Sequence, residues 1–384
     1  MKHVSLRGSA FAASLALGLA AAPTAAHAQT FVTCGDTAGL ITAINAFNNP
    51  TGGTIRLAED CTYAYGTATN GNALPPITGK ITIVGDDTRI VRSNTGTLYR
   101  LFEVAQGGNL TLRGIQVSAG HSDTDGGGIA NEGTLTLVNS AVTGNSANED
   151  GGGISNEGGT ITLRDSRIAG NTAVAGAADG GGISNNAEGT LTLERSEVEG
   201  NTSDQDGGGI ANQGSLRVEN STFSHNTARD DDGGAIDNSG SGKVTLKEAR
   251  FTANLAGLEG GAINNGEEAS LTATGSVFVK NTSGRDAGAI NNEGTANLTR
   301  TEVSDNSAGR DGGGINNEFT VDPEGNVAAH LKLYGSTVSE NRAARNGGGI
   351  NNQQGAVVEL ERSRVTKNRP DNCFPLNSIE GCRN

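Results

Sequence analysis

The sequence of 384 residues contains very few aromatic side chains: Phe, Tyr and Trp together make up 3%, and Trp is absent. The one Met is the first residue, and the other apolar residues are nearly all Ala, Val, Ile and Leu. These absences exclude a thick globular core built around large rings. Gly supplies 59 residues, about twice the usual share. Apolar residues still make up 34%, more than a disordered composition has, so a narrow aliphatic core interrupted by Gly is expected.

Basic residues are scarce as well: 28 Lys and Arg stand against 42 Asp and Glu, which gives a net charge of −14. Nucleic-acid binding requires a basic face, and electrostatic adhesion to anionic lipid requires the same. The charge therefore disfavours both functions. Beyond the N-terminus no stretch approaches the roughly 20 consecutive apolar residues of a transmembrane helix, so no membrane span is expected.

Residues 1–28 have the pattern of a secretory signal peptide. Lys2 and Arg7 precede an apolar run over residues 11–22, and residues 26–28 (Ala-His-Ala) have the small–X–small form of a cleavage site. The apolar run is too short to span a bilayer, so a membrane anchor is the less favoured alternative. We therefore expect a secreted, extracellular chain, with the periplasm or the cell surface as further possible locations.

The four cysteines lie at the two ends of the chain: Cys34 and Cys61 near the N-terminus, Cys373 and Cys382 near the C-terminus. In an oxidising compartment such residues form disulfides, and four cysteines allow three pairings. The distribution favours Cys34–Cys61 and Cys373–Cys382. A zinc site made of all four is the alternative, but it needs the two ends to meet and it lacks a Cys-X-X-Cys spacing.

A repeat of about 27 residues organises most of the chain. Its signature, Gly-Gly-X-Ile-X-Asn with Ala once replacing a Gly, recurs nine times at intervals of 25 to 35 residues. The Asn column of this signature is Asn131, Asn156, Asn185, Asn212, Asn238, Asn265, Asn292, Asn317 and Asn352. A second Asn column follows an apolar column by three residues: Asn145, Asn171, Asn201, Asn226, Asn254, Asn281, Asn306, Asn341 and Asn368. The short alternating runs between them predict three strands per unit.

Such a unit is too small to bury a core alone, but stacking buries it. Each strand would pair in parallel with its copy about 4.8 Å away, so that identical residues form columns along a rod. Phe223, Phe251 and Phe278 would then stack on one another. Both Asn columns are predicted to be structural ladders, because Asn tolerates the left-handed backbone of a turn and its amide can bond the amides above and below.

The signal-peptide pattern, the repeat signature and the cysteines divide the chain into four parts. These are a signal peptide (1–28), an N-terminal cap with entry coils (29–120), nine repeats (121–369) and a C-terminal disulfide cap (370–384). In the cap, Asp36 is predicted to begin a helix that runs to about Asn48. Strands are predicted near residues 54–57, 81–84 and 110–112.

The repeat motifs resemble those of the polymorphic outer-membrane protein repeat family. The motifs are Gly233-Gly-Ala-Ile236, Gly260-Gly-Ala-Ile263, Phe223-X-X-Asn226, Phe251-X-X-Asn254 and Phe278-X-X-Asn281. More widely, the chain is similar to the right-handed parallel β-helices of the pectin-lyase-like superfamily. The resemblance implies an all-β fold: one right-handed solenoid of about nine to eleven coils with a capping helix. It implies a secreted bacterial protein whose family includes adhesins, while the superfamily also includes polysaccharide lyases and hydrolases.

Catalytic motifs of the superfamily do not appear in the sequence. The polygalacturonase-like series Asn-Thr-Asp, Asp-Asp, Gly-His-Gly and Arg-Ile-Lys is not matched: His225 stands in Ser-His-Asn, and Arg-Ile-Lys is absent. The catalytic residues are therefore unknown and no cofactor is expected. We predict a non-catalytic, adhesin-like binding scaffold, monomeric, for an unidentified extracellular glycan or surface protein. The alternative is a polysaccharide lyase or glycoside hydrolase.

An acidic residue stands four positions before most of the repeat isoleucines. The column is Asp125, Asp150, Asp179, Asp206, Asp232, Glu259, Asp286 and Asp311, with Asn346 in the ninth unit. Its favoured interpretation is an Asx-type turn, in which the side chain accepts from amides of the Gly-rich corner. A row of calcium sites is the alternative. Nearby arginines would offset carboxylate repulsion; they are Arg229, Arg285, Arg310 and Arg345.

One unit carries an insertion between residues 318 and 330. The segment must leave the rod as a loop, and long loops on regular scaffolds often carry function. A neutral insertion is the equally favoured alternative. Its candidate functional residues are Glu318, Phe319, Asp322, Glu324 and His330.

Overall fold

The computed structural model describes residues 28–93, 96–318 and 329–384. Residues 1–27 of the predicted signal peptide lie outside this range. The described chain is a parallel β-solenoid of about 12 turns, which confirms the fold class predicted from the repeat. The stack has slightly more turns than the nine to eleven expected, because strands near residues 53, 80 and 109 pair in register below the nine repeats.

Each of the first eight repeats contributes four strands instead of the predicted three, and the ninth contributes three. In the first unit these are Ile129–Asn131, Thr134–Val138, Ala141–Thr143 and Ser146–Ala147. The last of them follows the second Asn and pairs with its copy in the next unit. A two-residue strand is too short to show an alternation, which is why the sequence pattern does not reveal it.

The strands form three parallel sheets along the rod. The long sheet contains two strands from each repeat. Its strands are Gln29–Val32, Gly53–Leu57, Thr62–Tyr65, Lys80–Arg92, Asn109–Ser118, Thr134–Val138, Ala141–Thr143, Thr160–Arg164, Arg167–Ala169, Thr190–Glu194, Glu197–Glu199, Ser215–Glu219, Thr222–Ser224, Lys243–Lys247, Arg250–Thr252, Ser270–Thr274, Val277–Val279, Thr295–Thr299, Glu302–Ser304, His330–Tyr334, Thr337–Ser339, Val357–Glu361 and Arg364–Thr366.

The isoleucine sheet contains the strand of the repeat signature. Its strands are Phe102–Val104, Ile129–Asn131, Ile154–Asn156, Ile183–Asn185, Ile210–Asn212, Ile236–Asn238, Ile263–Asn265, Ile290–Asn292, Ile315–Asn317, Ile350–Asn352 and Cys373–Phe374. The narrow sheet contains the two-residue strands. They are His121–Ser122, Ser146–Ala147, Thr172–Ala173, Thr202–Ser203, Thr227–Ala228, Leu255–Ala256, Thr282–Ser283, Ser307–Ala308 and Arg342–Ala343.

The core lies inside the rod and consists of stacked columns. Every isoleucine of the repeat signature is fully buried. The rings of Phe223 and Phe251 stack with their centroids 4.7 Å apart, and so do those of Phe251 and Phe278. The spacing matches the distance between strands of one sheet, so the columns follow directly from the parallel pairing.

A helix and a disulfide close the N-terminal end. The helix α1 (Thr37–Phe47) begins after Asp36, whose Oδ1 accepts from the Gly39 backbone N–H at 2.8 Å. Its inner side buries Leu40 and Ile44. Cys34 and Cys61 form the predicted disulfide beside it.

The C-terminal end is closed by the second predicted disulfide, Cys373–Cys382. Cys373 also pairs with Ile350, so the strand Cys373–Phe374 extends the isoleucine sheet by one strand. Such a cover protects the last coil from pairing with another chain. No helix in the described part of the chain is long and apolar enough to cross a membrane.

Removing the C-terminal disulfide is expected to lower stability. The bond closes a loop of 9 residues in sequence separation, and loop-closure entropy gives about 2–3 kcal/mol for a loop of this size. We expect Cys373→Ser/Cys382→Ser to lower the Tm under oxidising conditions and to leave the reduced protein unaffected. Equal melting of the variant and the oxidised parent would contradict this assignment.

Candidate functional site

The two predicted Asn columns form hydrogen-bonded ladders. In the first, each Nδ2 donates to Oδ1 of the next Asn along the rod, at 2.6–2.8 Å from Asn131 through Asn352. In the second, the backbone N–H and Nδ2 of one Asn both donate to Oδ1 of the next. Asn201 and Asn226 show this pattern at 3.1 and 3.0 Å. Nearly all of these side chains are buried, so they support the fold from within.

The acidic column also forms a ladder, and its geometry differs from the expected Asx-type turn. Oδ1 of Asp125 accepts from the backbone N–H of Asp150, the next member of the column, at 2.8 Å. The same bond recurs up the rod at 2.7–3.0 Å. The expectation of a bond within one corner was wrong because the stacking places each carboxylate closer to the amide of the coil above.

Ion pairs accompany this pattern near the C-terminal end. Glu259 pairs with Arg285, Asp286 pairs with Arg310, and Asp311 pairs with Arg345 at 3.0 Å. Three of the four arginines predicted to offset repulsion therefore contact the column, whereas Arg229 pairs with Asp204 at 2.7 Å. Since Glu259 is buried, removing Arg285 would leave its charge without that partner. Asp286 is buried as well, and its Oδ2 also lies 3.5 Å from Arg285 Nε.

A third ladder was not predicted from the sequence. It uses the residue between Ile and Asn of the repeat signature, which points away from the core, is nevertheless buried in eight of the nine units, and is Asp or Asn in the last five. Nδ2 of each Asn donates to the preceding unit, and the bonds Asn351–Asn316, Asn316–Asn291, Asn291–Asn264 and Asn264–Asp237 measure 2.7–3.1 Å. The change from Ile-Ala/Ser-Asn to Ile-Asn-Asn along the repeats was the signal that could have revealed it.

Carboxylates surround this third ladder on both sides. Nδ2 of Asn291 donates to Oε2 of Glu259 at 2.7 Å and to Oε1 of Glu293 at 3.1 Å. Oε1 of Glu318 accepts from Asn316 at 2.9 Å. We name this surface the acidic face; it comprises Asp206, Asp231, Asp232, Asp237, Glu259, Asn264, Glu267, Glu268, Asn291, Glu293, Asn316 and Glu318.

The acidic face contains a cavity of about 530 Å³. It is lined by Asp206, Asp232, Asp237, Ser239, Gly240, Asn264, Gly266, Glu267, Glu268 and Glu293. Carboxylate oxygens of Asp206, Asp231 and Asp232 lie within 4.8 Å of one another, and so do those of Glu259, Glu293 and Glu318. Oxygen groups of this kind are the ligands that hard cations prefer, and either trio could hold one.

Burial raises the pKa of several of these carboxyl groups. The pKa of Asp206 rises to about 6, and those of Asp232 and Glu293 rise to about 7. Desolvation is the largest cause in each case, and neighbouring carboxylates add to it. Asp237 is buried at the end of the third ladder, and its pKa is also raised well above the usual range by desolvation.

The predicted insertion is described only at its two ends. Glu318 lies on the acidic face, where it also accepts from Gln353 Nε2 at 3.1 Å. His330 begins a strand of the long sheet, paired with Thr295 and Val357. Phe319, Asp322 and Glu324 lie outside the described residues.

Calcium is expected to have little effect on the acidic column. Each coil contributes one carboxylate, and its Oδ1 already accepts a backbone amide along most of the column. A ligand stabilises only by RT ln(1 + [L]/Kd), so weak sites give a small shift. We expect the Tm to change by less than about 2 °C in millimolar Ca²⁺. A rise of about 10 °C that chelator reverses would establish a metal ladder instead.

Comparison with known proteins identifies the repeat. Residues 220–239 match the Chlamydia polymorphic membrane protein (Chlamydia_PMP) repeat. This segment contains Phe223-X-X-Asn226 and Gly233-Gly-Ala-Ile236, so the resemblance seen in the motifs is confirmed there. None of the curated proteins matches the sequence at a significant level. The matched repeat and the two disulfides are consistent with an extracellular or surface location.

Among solved structures, the chain is similar to two A-modules of Azotobacter vinelandii mannuronan C-5 epimerases. The AlgE6 A-module is 14% identical with a TM-score of 0.49, over 87% of this chain and 93% of the module. The AlgE4 A-module is 13% identical with a TM-score of 0.48, over 88% of this chain and 93% of the module.

Proposed function

We propose that this chain is a secreted, non-catalytic binding scaffold of adhesin-like type that engages its partner through the acidic face. The observation that carries the proposal is the third ladder. Its buried amide row donates to the partly exposed carboxylates of Glu293 and Glu318 at 3.1 and 2.9 Å and so holds them in fixed positions at the surface. A row of side chains fixed in this way loses little conformational entropy when a partner binds.

The charge of the face indicates the kind of partner. Glu267 and Glu268 are exposed at the cavity, and Glu293 and Glu318 lie partly exposed beside it. Acidic glycans would be repelled, whereas a partner that presents amino groups or a basic surface would be attracted. Complementary charges of this kind raise the association rate and make it depend on salt.

The experiment compares two variants of equal charge. Glu267→Gln/Glu268→Gln removes two exposed carboxylates from the acidic face, and Glu197→Gln/Glu199→Gln removes two from the long sheet. Each variant is applied to an array carrying amino-containing, neutral and acidic glycans, and to surface proteins of neighbouring cells. We expect binding to amino-containing or basic partners, weakened at least about fivefold by the first variant only.

Two outcomes would contradict the proposal. One is binding that both variants weaken equally, which would place the contact elsewhere or make it unspecific. The other is cleavage or modification of any glycan on the array. Mass spectrometry of the array products detects the second outcome.

A polysaccharide-acting enzyme remains the second candidate, and one observation favours it. The carboxyl groups of Asp232 and Glu293 have pKa values of about 7 because of burial, close to Asp206 with a pKa of about 6. Neighbouring carboxyl groups that titrate near neutral pH can serve as general acid and base in glycoside chemistry. Lyase and hydrolase assays test this candidate directly. Any activity found should be lost in the control variant Asp232→Asn.

A further inference from the structure

A second cavity lies at the N-terminal end of the rod, away from the repeats that form the acidic face. It has a volume of about 460 Å³ and is lined by α1 and by the segment of residues 69–76. Ile41 of α1, Leu74 and Pro75 supply an apolar wall. The size lies within the range of pockets that bind small molecules.

The least exposed polar groups of this cavity are Asn72 and Glu103, whereas Asn45, Thr69 and Asn70 lie exposed at its rim. Asn72 is 2% exposed, and its Nδ2 donates to Oε2 of Glu103 at 2.5 Å. Because a carboxylate can only accept, this bond fixes which end of the amide is the oxygen. The Oδ1 of Asn72 has no hydrogen-bond partner among the described residues. A buried acceptor without a donor is unfavourable, because it has lost its hydrogen bonds to water.

The less exposed polar groups of the cavity are thus acceptors, and one of them is a carboxylate. Arg100 lies near Glu103 but does not line the cavity. Its guanidinium donates through Nη2 to Ser122, Thr124 and the carbonyl of Asp125, which directs it toward the first repeat, and its Nε is buried without a partner among the described residues. A ligand that reaches Asn72 and Glu103 must therefore donate hydrogen bonds, and a cationic donor forms the stronger, charge-assisted bond to a carboxylate.

We propose that this N-terminal cavity binds a protonated amine carried on an aliphatic body. The ammonium group would donate to Glu103 and to Oδ1 of Asn72, and the aliphatic part would pack against Ile41, Leu74 and Pro75. A small free amine and the amino terminus of a peptide share this chemistry.

The test uses three probes with one aliphatic body and different polar groups. Cyclohexylmethylamine, cyclohexylmethanol and cyclohexanecarboxylate are titrated against the full secreted chain, with binding followed by ligand-observed NMR. We expect the amine to bind at least fivefold more tightly than the alcohol, and the carboxylate not to bind. Equal affinities, or no binding of the amine at millimolar concentration, would overturn the proposal.

Variants locate the binding and separate it from the acidic face. Glu103→Gln keeps an acceptor for Asn72 and removes the charge, so it should abolish the preference for the amine at unchanged Tm. Two control variants should keep the preference for the amine. One is Glu132→Gln, which removes an exposed carboxylate one coil further along the rod, and the other is Glu267→Gln/Glu268→Gln on the acidic face. If Glu103→Gln retains the full preference, the cavity is not the site.

Two further probes distinguish the sources of the amine. The peptide Leu-Gly-Gly is compared with its N-acetylated form in the same titration. Binding that acetylation removes assigns the cavity to a peptide amino terminus. Binding of cyclohexylmethylamine alone assigns it to small free amines, and both results support an ammonium site.

Discussion

Replacing Ile210 with Asp is expected to disrupt the rod and to produce the largest loss of stability of any single change considered. Ile210 is fully buried and pairs in register with Ile183 and Ile236 of the neighbouring coils. Burial of an unpaired carboxylate costs several kcal/mol even after local rearrangement. The coils on both sides share the damage, because each coil is stabilised mainly by its neighbours.

The measurement is thermal unfolding of the variant beside a matched control. Ser215→Asp introduces the same side chain at an exposed position of the next strand, and its Tm should stay within about 2 °C of the parent. For Ile210→Asp we expect a loss of about 4 kcal/mol or more. An unchanged Tm would mean that Ile210 faces solvent and that the strand is out of phase.

Stability is expected to fall as the pH rises from about 5 to about 8. Desolvation raises the pKa of Asp206 to about 6, and the pKa values of Asp232 and Glu293 to about 7, whereas carboxyls of the unfolded chain titrate near 4. The folded state therefore binds more protons than the unfolded state across this window, and deprotonation favours unfolding. One unit of pKa difference corresponds to about 1.4 kcal/mol, so we expect a loss of at least about 3 kcal/mol.

Two variants test the origin of this pH dependence. Asp232→Asn keeps the side-chain oxygen that accepts from the Glu259 backbone N–H but removes the group that titrates. We therefore expect the stability of this variant to fall less between pH 5 and 8. Asp165→Asn is the control, because the hydrogen bond to Arg195 lowers the pKa of Asp165. Asp165 therefore does not titrate between pH 5 and 8, and its replacement should leave the pH dependence in this range unchanged. A Tm that is constant or rises between pH 5 and 8 would contradict the assignment.

The sequence predicts in most detail those features of this molecule that repeat. Ile210 and the two Asn columns were identifiable because nine units place the same residue at the same point. The entry coils were predicted only as strands near residues 54–57, 81–84 and 110–112; they lack the signature, so their register comes from the pairing alone. The acidic column was visible, but its hydrogen bonds join different coils, and no single unit contains that information.

The acidic face was the part of the candidate site least accessible to sequence analysis. Asp237 is the single Asp in its column, and Glu293 belongs to a column that is Glu in four of the nine units, so both resemble ordinary variation. Their raised pKa values arise from burial by side chains of neighbouring coils. The N-terminal cavity depends on contacts between α1 and a segment without regular structure, which no periodic pattern indicates.

The Asn ladders have a consequence for how this chain can change in length. Every inner rung of the first ladder, from Asn156 to Asn317, donates one bond to the next Asn along the rod and accepts one from the Asn before it. Excision of one whole unit would therefore bring together two rungs that fit as well as the originals. Gain or loss of a complete unit by recombination should be tolerated more easily than one substitution inside it.

The ends of the ladders limit this freedom. Asn131 has an amide oxygen without a donor among the described residues, and Asp237 is the last member of the third ladder. Natural variants of this protein should differ by whole units in the middle of the rod, with both ends retained.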